Sequence, residues 1–335
     1  MRVVLVRLSA VGDIVHTWPL AEALRAACPR MHLTWVVEEP LRTLVDGHPA
    51  VDAVITVATR RWRKRPLSAR TRAEFAIVRG RFAELVPELA IDPQGVLKSA
   101  LVTRATRASR RVGLARPWRR ELVAGMAYTE TIPGSSTDPH VVATNMALVR
   151  ALGADPPTVL PAPDGTWMIG EARNPDLEGT AVLLPGAGDP TKVLPIATLA
   201  EVARQLSRLG LRPLLVWGPS ERERAARVVE AAGRPSRLAA QTDLLDLAGL
   251  LGSSSLVVGA DTGPVHLAAS LGTPTVAMFV CTSPRRNRPL GDRVVVVSGV
   301  REGEGSPASS ARAAPTRSIE PEEIVDGART AIGSG

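Results

Sequence analysis

The chain has 335 residues, 45% hydrophobic and 3% aromatic, which is enough for two folded domains and excludes a largely disordered or fibrous polymer. Its two cysteines, Cys28 and Cys281, rule out a disulfide framework or cysteine metal cluster and point to a reducing compartment, and no apolar run approaches the ~18 residues that span a bilayer. The net charge of +8 is lopsided: residues 1–160 hold 23 Lys plus Arg against 14 Asp plus Glu, and the remainder holds 18 against 19. An anionic partner is therefore expected for the first half alone.

The apolar run Val3-Val4-Leu5-Val6 predicts a buried strand at the start, which leaves no room for a signal peptide. Small residues from Leu8 to Asp13 form a turn, and helical spacing follows over 14–17 and 20–24. Strands are then expected at 32–37, 51–57 and 89–92, and helices at 41–45, 70–88, 97–106 and 140–152. Two basic segments with an embedded tryptophan interrupt this pattern, Arg60-Arg61-Trp62-Arg63-Lys64 and Arg116-Pro117-Trp118-Arg119-Arg120. Residues 131–138 read as a polar loop. The stretch 153–179, with five prolines, reads as the linker between domains.

The alternation restarts after it, with strands at 180–184, 213–217, 255–259 and 274–279 and helices at 196–209, 221–232, 244–251 and 265–271. Residues 300–318 are rich in Gly, Ser and Ala and read as a mobile loop, and 321–332 as a last helix. Two runs of alternating strand and helix imply an α/β protein of two parallel-sheet domains with a cleft between them.

Four strand ends carry candidate chemistry. Asp13 stands at the mouth of the first strand–turn–helix, where α/β folds place ligands, and reads either as a helix cap or as a catalytic acid or base. Gly186-Ala187-Gly188 with Lys192 can offer backbone N–H groups and one cation to a phosphate, without the spacing of a Walker loop, or can be an ordinary turn. Asp261-Thr262-Gly263-Pro264-Val265-His266 opens a helix whose N-terminus suits a pyrophosphate, or simply caps that helix over a packed histidine. Glu221 can accept from ribose hydroxyls or complement a helix dipole. The basic segments read as contacts for nucleic acid, for phosphorylated lipid, or for water. No metal-ligand spacing is present, so no metal is expected.

Taken together, Ser9-Ala10-Val11-Gly12-Asp13 with His16-Thr17, Trp35 to Glu39, Arg60 to Lys64, Asp92-Pro93-Gln94-Gly95 with Lys98-Ser99, Trp217-Gly218, and Asp261-Thr262-Gly263 with His266 resemble the ADP-heptose glycosyltransferases of lipopolysaccharide inner-core synthesis. The heptosyltransferase I branch is the nearer match, because of the Arg60 to Lys64 segment. The resemblance implies a GT-B fold with Rossmann-like domains: acceptor binding at 1–155, a linker at 156–179, donor binding at 180–318 and a C-terminal helix at 319–335.

It further implies inverting, metal-independent transfer of L-glycero-D-manno-heptose from ADP-heptose to Kdo2-lipid A, by a peripheral protein at the cytoplasmic face of the inner membrane. Asp13 would be the general base, and Lys192 would offset charge on the departing ADP. Gly186, Ala187, Gly188, Glu221, Thr242, Asp261, Thr262, Gly263 and His266 would line the donor site. Gly12, Arg60, Arg61, Arg63, Lys64, Gln94, Lys98 and Arg120 would meet the acceptor. A heptosyltransferase II-like or natural-product acceptor is the alternative, and a nucleic-acid-binding protein is a third reading. Two departures stand out. Lys192-Val193-Leu194-Pro195 lacks the family's usual Trp, and Gly186-Ala187-Gly188 replaces hydroxyl residues common in its phosphate loop.

Overall fold

A computed structural model describes residues 1–170, 174–300 and 317–334. It divides into two compact units, Met1–Pro161 and the described residues from Ala162 onward. Most of the segment read as a mobile loop, 301–316, lies outside the described residues.

The first unit is a six-stranded sheet ordered β3-β2-β1-β4-β5-β6. Its strands are β1 (Arg2–Val6), β2 (His32–Glu38), β3 (Ala53–Val57), β4 (Leu89–Asp92), β5 (Arg110–Leu114) and β6 (Glu130–Ile132), and every pairing is parallel. Val3 to Val6 have no solvent exposure, as expected of a central parallel strand covered on both faces. The order reverses between β1 and β4, so their carboxyl ends form the topological switch point where such sheets bind ligands.

Its helices are α1 (Val11–Val15), α2 (Trp18–Ala27), α3 (Thr59–Lys64), α4 (Ala69–Leu85), α5 (Leu97–Ala105) and α6 (Val141–Met146). The helical spacing after the first strand breaks into α1 and α2, because Pro19 has no N–H to continue a ladder and instead occupies the first turn of α2. Arg60 to Lys64 are helical within α3, and the helix expected at 140–152 is α6 followed by a 3₁₀ stretch, Ala147–Leu152. The polar loop expected at 131–138 gives its first residues to β6, at the sheet edge.

The second unit repeats the plan with order β12-β11-β10-β7-β8-β9. It comprises β7 (Thr180–Leu184), β8 (Arg212–Leu215), β9 (Arg237–Leu238), β10 (Leu256–Ala260), β11 (Thr275–Phe279) and β12 (Val294–Ser298), again all parallel. Helices α7 (Ile196–Arg208), α8 (Arg222–Ala232), α9 (Leu244–Ser253), α10 (Gly263–Ser270), α11 (Pro284–Asn287) and α12 (Pro321–Gly333) flank it. Here the order reverses between β7 and β10. The last helix packs on β10, β11, β12 and α7 of this unit. Gly327 permits the approach, since a Cβ there would stand 3.2 Å from Val295 Cγ1. Among the described residues no helix is long and apolar enough to cross a membrane.

Candidate functional site

In the first unit the candidate residues gather at the switch point. The turn after β1 delivers Asp13 as the third residue of α1, where its Oδ2 accepts from the Ala10 amide at 3.3 Å, a capping contact. The same carboxylate lies 3.8 Å from Arg7 Nη2 and 3.9 Å from Arg120 Nη1, so two guanidinium groups supply its countercharge. Its side chain is 28% exposed, and that of Arg7 only 2%. Burial presses the Arg7 guanidinium below its ordinary pKa, against the pull of Asp13 and Asp92. Arg7 Nε donates to Thr17 Oγ1 at 3.0 Å, and Thr17 Oγ1 donates to the Asp13 carbonyl at 2.7 Å, which fixes guanidinium and turn together.

From β4 the chain turns through Asp92-Pro93-Gln94-Gly95, held by its own acid. Asp92 Oδ1 accepts from the amides of Gln94 (2.8 Å) and Gly95 (3.1 Å), while Tyr128 Oη donates to Oδ2 at 2.8 Å. Gly95 is in the left-handed region at φ +62°, which a side chain would strain. Gln94 Oε1 accepts from the Leu8 amide at 2.9 Å, tying this turn to the end of β1. Gln94 is 4% exposed and therefore holds backbone. Lys98, on the first turn of α5, donates to Ser9 Oγ at 2.6 Å. Burial lowers its pKa, Glu38 and Asp13 oppose that, and Arg60 and Arg120 add to it. These five charged groups therefore share one electrostatic neighbourhood.

The Arg60 to Lys64 cluster divides by role. Arg61 is committed to Glu74 and Glu39, with Nη2 donating to Glu74 Oε1 at 2.9 Å, and Trp62 Nε1 donates to Glu74 Oε2 at 2.8 Å. Arg70, Trp62 and Arg61 hold the Glu74 carboxyl down at about 2 against its modest desolvation. Arg60, Arg63 and Lys64 are exposed. Gly12 precedes Asp13 within α1, and its carbonyl accepts from the His16 amide at 2.9 Å.

In the second unit the loops after β7 and β10 bring the other candidates together. Lys192 ends a 3₁₀ turn, Pro190–Lys192, and its Nζ donates to Asp261 Oδ2 at 2.6 Å and to the Asp261 carbonyl at 3.1 Å. Asp261 also receives Thr282 Oγ1 at 3.0 Å and faces His266 Nε2 at 3.2 Å. Burial disfavours charge on Asp261, but His266 and Lys192 outweigh it and hold the carboxyl well below the usual range. Thr262 is the N-cap position of α10 and Gly263 its first residue, so the first-turn amides of an eight-residue helix begin beside this cluster.

Glu221 lies over the Gly186-Ala187-Gly188 loop. Its Oε2 accepts from the Gly218 amide at 2.8 Å, and a Cβ on Gly186 would come within 2.1 Å of its carboxyl carbon. A side chain at 186 would therefore displace the end of Glu221. At Gly188 a Cβ would meet no neighbour within 4 Å, and Ala187 is partly exposed beside it. Thr242 precedes Asp243, whose Oδ1 caps α9 at the amides of Leu245 and Asp246. Leu194, where the resemblance leads one to expect Trp, is 5% exposed within the core of this unit. Its carbonyl accepts from Arg224 Nη2, and Arg224 Nε donates to the Pro185 carbonyl at 2.8 Å.

Sequence reasoning did not single out Arg7, Tyr128, Arg224 or Thr282. Arg7 had a local signal, a charge directly after the fully apolar Val3 to Val6. The others meet their partners across 21 to 39 residues of sequence and leave no local trace. Among the described residues no three His, Cys, Asp or Glu side chains group as a metal site.

A family model described as glycosyltransferase family 9 (heptosyltransferase) matches residues 86–312. The chain belongs to glycosyltransferase family 9. It is 37% identical over 291 residues to lipopolysaccharide heptosyltransferase 1 of Pseudomonas aeruginosa, covering 85% of this chain and 80% of that one. To the Escherichia coli K12 protein of the same name it is 32% identical over 309 residues, 90% and 95% of the two chains. The solved structure of the E. coli heptosyltransferase WaaC with ADP matches with a TM-score of 0.84 at 27% identity, over 99% of this chain and 100% of that one. WaaC with ADP-2-deoxy-2-fluoro heptose matches with a TM-score of 0.79 at 28% identity, over 97% and 98% of the two chains. Family 9 membership agrees with the GT-B pair of parallel sheets described above.

Proposed function

We propose that this family 9 protein is the inverting transferase that moves L-glycero-D-manno-heptose from ADP-heptose to a Kdo residue of Kdo2-lipid A. The observation that carries the reading is its extended similarity to heptosyltransferase 1 proteins, joined to a WaaC structure that holds an ADP-heptose analogue. The charge distribution supports it, because an acceptor bearing phosphates and carboxylates calls for a basic first unit and the donor does not.

In this mechanism Asp13 takes the proton of the acceptor hydroxyl as its oxygen bonds to the anomeric carbon. The bond to the ADP oxygen breaks on the opposite face, and ADP leaves with that electron pair. Arg7 and Arg120 orient the base. Gly12, Arg60, Arg63, Lys64, Lys98 and Arg120 face the anionic acceptor, while Arg61 and Gln94 brace the elements that carry them.

On the second unit Lys192 and the first-turn amides of α10 receive the diphosphate and stabilise its growing charge. Asp261 aims Lys192, and His266 buttresses Asp261. Gly186, Ala187 and Gly188 offer backbone N–H groups, Glu221 accepts from ribose hydroxyls, Thr242 borders the adenine, and Thr262 and Gly263 complete the rim. The reaction proceeds without a metal, on a protein held peripherally at the cytoplasmic face of the inner membrane.

The test is a transfer assay with ADP-heptose and Kdo2-lipid A, read by the mass increment of one heptose. Transfer solely to an already heptosylated core would reject this acceptor. Salt-dependent oligonucleotide binding with no transfer to any glycan would reject the enzyme reading.

A further inference from the structure

Large apolar side chains are exposed on two packed elements of the first unit, next to the residues assigned to the acceptor. On α5, Leu97 and Leu101 are 46% and 58% exposed. On the 3₁₀ stretch Leu122–Ala127, Leu122, Val123 and Met126 are 60%, 44% and 80% exposed. Leu97 and Leu101 are four apart and so share a helix face, with Arg104 one turn further on.

The two elements are locked together. Ala100, Ala124 and Ala127 form a buried seam whose small side chains let the backbones approach. Glu121 Oε2 accepts from the Leu97 amide at 2.8 Å, and the Glu121 amide donates to the Gly95 carbonyl at 2.9 Å. Small residues are therefore inside and large apolar ones outside, the reverse of what stability alone selects. The segment that carries this face is basic: residues 96–127 hold eight Lys or Arg, of which Arg110 is paired with Glu130, and one acid, Glu121, which is spent on the Leu97 amide.

We propose that this face, the outer side of α5 and the 122–127 turn, docks on the surface of an anionic lipid bilayer. Apolar side chains reach the acyl boundary while the surrounding cations meet lipid phosphates, and the two contributions add. Lys98 on α5 and Arg120 beside the turn belong to the same surface, so docking presents the Asp13 edge to a glycolipid headgroup still anchored in its membrane. The inference rests on the lipid-acceptor reading above and extends it from the headgroup to the bilayer.

The experiment uses the full-length protein and sedimentation with vesicles of phosphatidylcholine and phosphatidylglycerol at 3:1, with pure phosphatidylcholine as control. The wild-type protein is expected to bind the anionic vesicles, less so at 0.5 M than at 0.1 M NaCl. The double variant Leu101→Glu, Met126→Glu should lower that partition coefficient at least about tenfold. Because both side chains are exposed, kcat/KM for a soluble, deacylated acceptor should stay within about twofold, and activity on acceptor embedded in vesicles should fall.

Vesicle binding unchanged in the double variant would overturn the proposal. So would equal loss on the deacylated acceptor, which would make the face part of the sugar site. Wild-type dimers that the variant dissociates, with no vesicle binding, would make it a self-interface instead. Vesicle binding needs no sugar nucleotide, so a failed transfer assay with intact, variant-sensitive binding separates the two readings.

Discussion

Asp13 and Asp261 both lie at the switch point of their own sheets but after different strands, Asp13 within α1 beyond β1 and Asp261 directly after β10. Their surroundings differ. Asp261 is 7% exposed and is engaged by an ammonium at 2.6 Å, a hydroxyl at 3.0 Å and an imidazole at 3.2 Å. Asp13 is 28% exposed, with its two guanidinium partners at 3.8 and 3.9 Å. A carboxylate wrapped that closely fixes the position of its partners. One partly open to solvent with countercharge farther off can meet a substrate hydroxyl. In the mechanism proposed above, this difference goes with a positioning role for Asp261 and a chemical one for Asp13.

The sharpest way to break this contrast is Asp13→Asn. Transfer should fall by about 10²–10⁴-fold, the range of a lost general base, while ADP-heptose affinity measured by calorimetry stays within about twofold. Retained turnover would return Asp13 to the status of a helix cap. Lys192→Ala should cost about 10²-fold in kcat/KM, expressed with ADP-heptose as the varied substrate and not with the acceptor. The reverse pattern would remove Lys192 from the diphosphate.

Gly186→Ala should be milder. The new Cβ meets the mobile end of Glu221, so urea stability should change by less than about 1 kcal/mol while the donor KM rises about tenfold as Glu221 swings away. An unchanged KM would take Glu221 off the ribose.

Asp261 also makes a prediction in pH. Its folded-state pKa is depressed, so its contribution to stability is fully present above the unfolded value of about 4 and is lost as pH falls through the lower folded value. Unfolding by urea should therefore show Asp261→Asn clearly weaker than wild type at pH 6, with the gap closing toward pH 2. The smallest effect expected is that of EDTA, which should leave the transfer rate unchanged.

The alternation of strand and helix was legible because parallel strands covered on both faces leave continuous apolar runs, as in Val3 to Val6 and Leu256 to Ala260. Edge strands were harder. The three-residue β6 and the two-residue β9 are too short to show a period, and Arg110-Arg111 disguises the start of β5. Asp13, Lys192 and the Asp261 to His266 element stood out as candidates because each sits near a strand end, and the structure brings Lys192, Asp261 and His266 together. The resemblance implies an acceptor contact for Arg61, whose guanidinium in the structure also donates to Glu74, thirteen residues away. Gln94 likewise has its side chain turned inward to the Leu8 amide. What a motif cannot display is which of its polar groups another segment has already claimed.

The bond from Leu8 to Gln94 spans 86 residues and that from Lys98 to Ser9 spans 89, so the Asp13 turn and its cationic surround are stitched together by contacts remote in sequence. Such contacts form only after a long loop has closed, and that closure is slow. On the ribosome the Asp13 turn has no counterpart until α5 has emerged, and a fragment ending before β4 would carry Asp13 without the lysine beside it. Regain of transfer during refolding should accordingly trail the helical signal and mark the moment when the centre of the first sheet zips shut.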